Sequence, residues 1–96
     1  LTVRVVWTTR ARVDREQAIE YIAADAPLAA AGQLDHILAQ TERLAEYPKL
    51  GPPGRVRGTR ELVIAHTPFF VAYRANVDAV TVLRLLHGAQ QWPTSG

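Results

Sequence analysis

Arg55, Arg57 and Arg60 stand within six residues, just after a proline- and glycine-rich stretch. Guanidinium groups take phosphate or carboxylate oxygens two at a time, so a cluster this dense can grip an oxyanion. A solvated loop with ordinary surface arginines would show the same spacing. Arg74 and Arg84 are more telling, because each interrupts a strongly apolar run. Charge there is costly unless it is paired or faces an open surface, and Glu61 or the C-terminal carboxylate would serve as partner. Of the three histidines, His36 points away from a helical apolar stripe and His66 sits in a tight turn, so both read as surface residues. His87 ends the last apolar run before Gly88, a place for a functional imidazole or for one that caps a strand by hydrogen bonding. There is no HxxxH or HExxH spacing, no Walker loop, no GxGxxG and no Ser/His/Asp motif, so neither a metal site nor a cofactor is expected. The absence of cysteine removes disulfides, zinc ribbons, Fe–S clusters and thiol catalysis together.

The elements that must position these groups follow from periodicity. Val3-Arg4-Val5-Val6-Trp7 is a β-branched run and reads as a strand. Thr8 and Thr9 offer capping hydroxyls for a helix to about Ala24, with Ala11, Ala18, Ile19 and Ile22 near helical spacing. Asp25-Ala26-Pro27 breaks it and starts a second helix to about Glu46, where Leu34, Ile37, Leu38, Thr41, Leu44 and Ala45 make one apolar stripe. A link this short predicts an antiparallel helix hairpin. Tyr47 to Gly54 holds three prolines and two glycines and must be irregular. Arg60–Ala65, Pro68–Arg74 and Ala79–Leu86 then read as strands, joined too closely for anything but antiparallel pairing. The expectation is an α+β domain, β-α-α-β-β-β, with the hairpin packed on one face of an antiparallel sheet and the other face open. Val5, Trp7, Ile19, Ile22, Leu34, Ile37, Leu38, Leu44 and alternate residues of the last three strands should form the core.

A chain of 96 residues fits one domain, 1–96. Net charge is +2, but residues 1–48 carry five arginines against seven acids, whereas residues 49–96 carry six basic residues against two acids. Basic charge is thus sorted into the second half, as a surface for an anionic partner would require. The single lysine beside ten arginines suits recognition by planar forks, although a codon bias would produce it as well. No stretch approaches 18 apolar residues, so no membrane partner is expected. A cysteine-free chain suits the reducing cytoplasm, the expected location.

Three segments carry a resemblance: Gly58-Thr59-Arg60-Glu61-Leu62, Phe70-Val71-Ala72-Tyr73-Arg74, and Val82 through Ala89 ending in Trp92-Pro93. In the helices, Ala11, Asp14, Tyr21 and Ile22, Ala29-Ala30 after Pro27, and Leu44 before Tyr47-Pro48 agree with it. Over roughly residues 3–93 the chain resembles the RelE/ParE toxin superfamily. The resemblance implies the toxin of a bacterial type II toxin–antitoxin module, neutralised by a cognate antitoxin protein. It also implies one of two activities. RelE-like members cut mRNA in the ribosomal A site with basic residues and no metal, and ParE-like members poison DNA gyrase.

The residues bear on that choice. Arg60 matches the strand arginine that RelE-like enzymes hold near the scissile phosphate. Gln90 stands where those enzymes have an arginine, the C-terminal tyrosine of some of them has no counterpart in Thr94-Ser95-Gly96, and their loop lysines are missing. Phosphoryl transfer without a charge-stabilising group and an acid–base pair loses most of its stabilisation. A net charge of +2 is also low for the rRNA-lined A site. The ParE-like reading is therefore preferred, with gyrase as target. Arg60, Arg84 and His87 would be catalytic only in the nuclease alternative, with the ribosome and mRNA as partners. Arg55, Arg57, Arg60, Arg74, His87, Gln90 and Trp92 are the candidate partner-binding residues. A non-enzymatic interaction module on the same fold is the remaining alternative.

Overall fold

A computed structural model of the chain describes residues 3–93. Strand β1 is Arg4–Trp7, helix α1 is Thr9–Ala23 and helix α2 is Pro27–Glu42, continued by a 3-10 turn at Arg43–Ala45. Strands β2 (Arg60–Val63), β3 (Phe69–Ala75) and β4 (Ala79–His87) follow, and the sheet order is β1-β4-β3-β2. The expected element order, the helix pair and the antiparallel meander are all present. One pairing departs from the expected antiparallel sheet: β1 lies parallel to β4, with Arg4 opposite Ala79 and Trp7 opposite Val82. Short turns force antiparallel neighbours, but no short turn joins these two strands, so their direction was free.

Local chemistry explains the helix ends. Thr8 is extended (φ −64°, ψ 162°), and its hydroxyl accepts from the Ala11 amide at 3.0 Å, satisfying an amide that the first helical turn leaves unpaired. Pro27 opens α2, where its missing N–H costs nothing. At the other end the α-helix gives way to the 3-10 turn, so it stops short of the expected Glu46.

The core lies between the hairpin and the sheet. Ala11, Ile37, Leu44, Ile64, Val71, Tyr73, Val80 and Val82 are fully buried there, with Val5, Trp7, Ile19 and Ile22 half-buried against them. The stripe of α2 is rotated from expectation. Ala30, Ile37 and Thr41 face inward, whereas Leu34 is half-buried and Leu38 exposed, lining a shallow outer groove with Ile19. Both sets fit helical spacing, and only packing against the sheet chooses between them.

The second face of the sheet is not open, contrary to expectation. Phe70, Ala72 and Leu86 are buried outside the main core cluster. The Arg55 guanidinium lies 5.2 Å from the Phe70 ring centre, and the Arg55 amide donates to Glu61 at 2.9 Å. The proline–glycine loop therefore folds back over this face. Near the loop's middle, a Cβ on Gly51 would come within 2.7 Å of the Glu61 carbonyl oxygen and 2.9 Å of the Tyr73 ring. Only glycine fits that approach.

Candidate functional site

Arg60 and Arg74 sit at neighbouring positions of β2 and β3, next to the loop that carries Arg55 and Arg57, whereas Arg84 stands on β4. Arg60 begins β2 opposite Tyr73, and its Nη1 donates to the Gly51 carbonyl at 2.8 Å. Beside it, the buried Tyr73 hydroxyl donates to the Pro48 carbonyl at 2.8 Å and accepts from the Gly51 amide at 2.9 Å. Arg60 and Tyr73 together pin the loop at Pro48–Gly51. Burial pushes the Tyr73 hydroxyl above its ordinary 10.0, opposed by the Gly51 hydrogen bond and the Arg60 charge.

A prediction follows for stability. Tyr73→Phe leaves two backbone groups without their partner and should cost about 2 kcal/mol in urea unfolding near neutral pH. Because the folded-state value is raised, the hydroxyl contributes fully below pH 10.0 and loses its contribution as pH rises through the raised value. The stability of the parent should therefore fall more steeply above about pH 10 than that of the variant. Equal slopes would sink the assignment.

Arg84 does not pair with Glu61, one of its two expected partners. A register shift between Ala72 and Tyr73 sets Tyr73 opposite Val82 and Ala72 opposite Arg84, so Leu83 bulges from β4. Bulges re-aim side chains, and Arg84 here reaches Asp14 of α1. Its Nε donates to Asp14 Oδ2 at 2.7 Å and its Nη2 to Oδ1 at 3.3 Å. Asp14 also accepts from the Leu85 amide at 3.1 Å, while the Thr8 hydroxyl donates to the Leu83 carbonyl at 3.2 Å. β1 pairs with β4 only as far as Val82, so α1 side chains serve the part of β4 beyond it. Glu61, one expected partner of Arg84, pairs instead with Arg55 at 3.4 Å. The other, the C-terminal carboxylate, lies outside the described residues. Arg57 and Arg74 are exposed and form no ion pair among the described residues. Arg74 packs beside Gly58, where an added Cβ would stand 3.0 Å from its Nη1.

His87 and Gln90 close a turn on themselves. The His87 amide donates to Gln90 Oε1 at 2.7 Å, and the Gln90 amide donates to the His87 carbonyl at 2.9 Å. The Ala89 amide donates to His87 Nδ1 at 3.1 Å, which leaves the proton of the neutral ring on Nε2. Residues 87–91 are exposed; Trp92 is half-buried, with the Arg84 guanidinium 5.8 Å from its ring centre.

The nuclease set is not brought together. Arg60 stands opposite Tyr73 and His87 opposite Phe69, four residues apart on β3, about 13 Å along the strand, and on opposite sides of it. Sequence reasoning missed Asp14 as a hub and Tyr73 as a loop anchor. It also gave no hint that the fold sets His36 and His66 side by side, their ring centres 5.1 Å apart. No helix of the described residues is long and apolar enough to cross a membrane.

Known proteins share this fold. The chromosomal ParDE TA system from P. aeruginosa superposes with a TM-score of 0.82 at 22% identity, covering 90% of this chain and 96% of that one. The toxin–antitoxin complex RelBE2 from Mycobacterium tuberculosis superposes with a TM-score of 0.59 at 23% identity, covering 91% and 99%. At such identities these two speak for the fold alone. A protein of Sinorhizobium fredii (strain NBRC 101917 / NGR234) named "Putative toxin Y4kP" is 43% identical over 90 residues, 94% of this chain and 93% of its own. A family model described as the ParE toxin of the type II toxin–antitoxin system, parDE, matches residues 5–92. That match runs from β1 through the hairpin and meander to the closing turn, and the chain belongs to the ParE family of type II toxins.

Proposed function

We propose that this ParE-type toxin is held inactive by a cognate antitoxin and, once released, acts on DNA gyrase rather than on mRNA. One observation carries the choice of target. Each group that a metal-free nuclease would need is engaged by the chain itself: Arg60 by the Gly51 carbonyl, Arg84 by Asp14 and His87 Nδ1 by the Ala89 amide. Groups held apart in this way do not converge on one phosphate, as oxyanion stabilisation and proton transfer during attack by a 2′-hydroxyl require. The deciding experiment sets two assays side by side. Purified protein should inhibit gyrase supercoiling or trap cleaved DNA, and translated mRNA should show no A-site cuts. Codon-phased cleavage that disappears in Arg60→Ala or His87→Ala would overturn the reading.

The antitoxin is expected across the basic end of the sheet and the helix hairpin. Arg55 is already paired with Glu61, and Arg60 donates to the Gly51 carbonyl. Exposed Arg57 and Arg74 are therefore the charges that would meet acidic side chains of the partner. Such rim charges tune encounter more than residence time. Replacing both by glutamate should slow association about tenfold at low salt, and flatten its salt dependence, with little change in dissociation. Unchanged association kinetics would place the surface elsewhere.

A further inference from the structure

His36 and His66 lie thirty residues apart in sequence, yet their imidazole centres are 5.1 Å apart, with the ring planes tilted by 35°. His36 projects from α2, and His66 sits in the turn between β2 and β3; both are exposed. Unlike His87, neither ring accepts a backbone donor among the described residues.

The backbone positions that carry them are held together. Gln40, one helical turn on from His36, clamps the turn with both ends of its amide. Its Nε2 donates to the Ala65 carbonyl at 2.9 Å and its Oε1 accepts from the Ala65 amide at 2.7 Å. The Thr67 hydroxyl donates to the Ile64 carbonyl at 2.9 Å and accepts from the Phe69 amide at 3.1 Å. Between these anchors His66 takes a left-handed backbone conformation, φ 68°, which few residues other than glycine, asparagine, aspartate and histidine adopt. The chain thus fixes the turn and sets an imidazole at its tip, beside another imidazole on α2.

We propose that His36 and His66 form a two-imidazole site for a divalent transition-metal cation of the Zn²⁺ or Ni²⁺ class. Imidazole nitrogen binds Zn²⁺ at about 2.0–2.1 Å in tetrahedral geometry. Each ring centre lies a little over 1 Å behind its nitrogen, so two rings on one tetrahedral ion have centres about 5 Å apart. The observed 5.1 Å meets that requirement. Among the described residues no group of three or more His, Cys, Asp or Glu side chains could hold a metal ion, so water or a partner's side chain fills the remaining positions. The bound ion cross-links α2 to the β2–β3 turn. Because only the folded chain places the rings together, the ion stabilises the folded state by mass action. This inference stands apart from the choice between gyrase and mRNA.

The test is a titration of the purified full chain with ZnCl₂, and separately with NiCl₂, by calorimetry in a buffer without chelators. One equivalent should bind, and the melting temperature should rise with free metal. His36→Ala and His66→Asn should each weaken binding by at least about tenfold, the loss that removal even of an outer-shell partner brings. Asparagine tolerates the left-handed backbone, so His66→Asn keeps the turn while removing the ligand. Its metal-free melting temperature checks that the fold is retained. Absence of binding by the parent up to about 1 mM metal, a very weak affinity by any standard, would overturn the proposal. So would unchanged affinity in both variants.

Discussion

Replacing Asp14 by alanine should destabilise the chain by about 3 kcal/mol. The Asp14 side chain is only 9% exposed and that of Arg84 only 15%, so the pair sits largely out of water. Asp14 accepts from Arg84 Nε at 2.7 Å, Arg84 Nη2 at 3.3 Å and the Leu85 amide at 3.1 Å, with Arg10 adding a looser contact at 3.3 Å. Removing the carboxylate strands a guanidinium and an amide on the part of β4 that β1 does not reach. Loss of one partner from a buried pair costs about 3–5 kcal/mol, and the lower end applies because Arg84 keeps some access to solvent. Urea unfolding of Asp14→Ala measures the loss directly. A double-mutant cycle with Arg84→Met should then show coupling above about 1 kcal/mol, since deleting both charges leaves neither stranded. A loss below about 1 kcal/mol in Asp14→Ala would mean that water replaces the carboxylate, and that the hub does not hold α1 to β4.

The same pair marks the limit of what sequence can show. That Arg84 needed a carboxylate was legible, because its neighbours Val82, Leu83, Leu85 and Leu86 make an apolar strand. Which carboxylate was not, because the choice rests on a bulge at Leu83 and on how α1 lies over β4, and neither has a local signature. Glu61 was close in sequence and went to Arg55. The elements themselves were legible, since Thr8, Pro27 and the proline–glycine loop act within a few residues of where they stand. The direction of β1 was open, because only distant packing sets it. Covering of the second sheet face depends on the loop folding back through Arg55, Phe70 and Glu61, contacts that cross two strands. The pairing of His36 with His66 escaped for the same reason: α2 and the β2–β3 turn meet only in the folded chain.

Placing negative charge on the exposed closing turn should separate toxicity from folding. Ala89 and Gln91 are exposed, whereas Gln90 is tied to His87 through its side chain and its amide. Ala89→Asp combined with Gln91→Asp spares those hydrogen bonds, and surface changes of this kind move stability by no more than about 0.5 kcal/mol. If the turn contacts gyrase, a disrupted central contact costs about 2 kcal/mol of binding. The concentration needed to block supercoiling should then rise about thirtyfold while the unfolding midpoint stays in place. Arg60→Ala should behave in the opposite way. Its Nη1 holds the Gly51 carbonyl at 2.8 Å, a hydrogen bond from a charged donor whose loss should cost about 1.5–3 kcal/mol of stability. Molecules of Arg60→Ala that remain folded should still inhibit gyrase, because Arg60 lies about 13 Å along the sheet from His87 and does not share its turn. A folded Arg60→Ala protein that is harmless, beside a fully toxic turn variant, would move the active surface to the Arg60 end of the sheet.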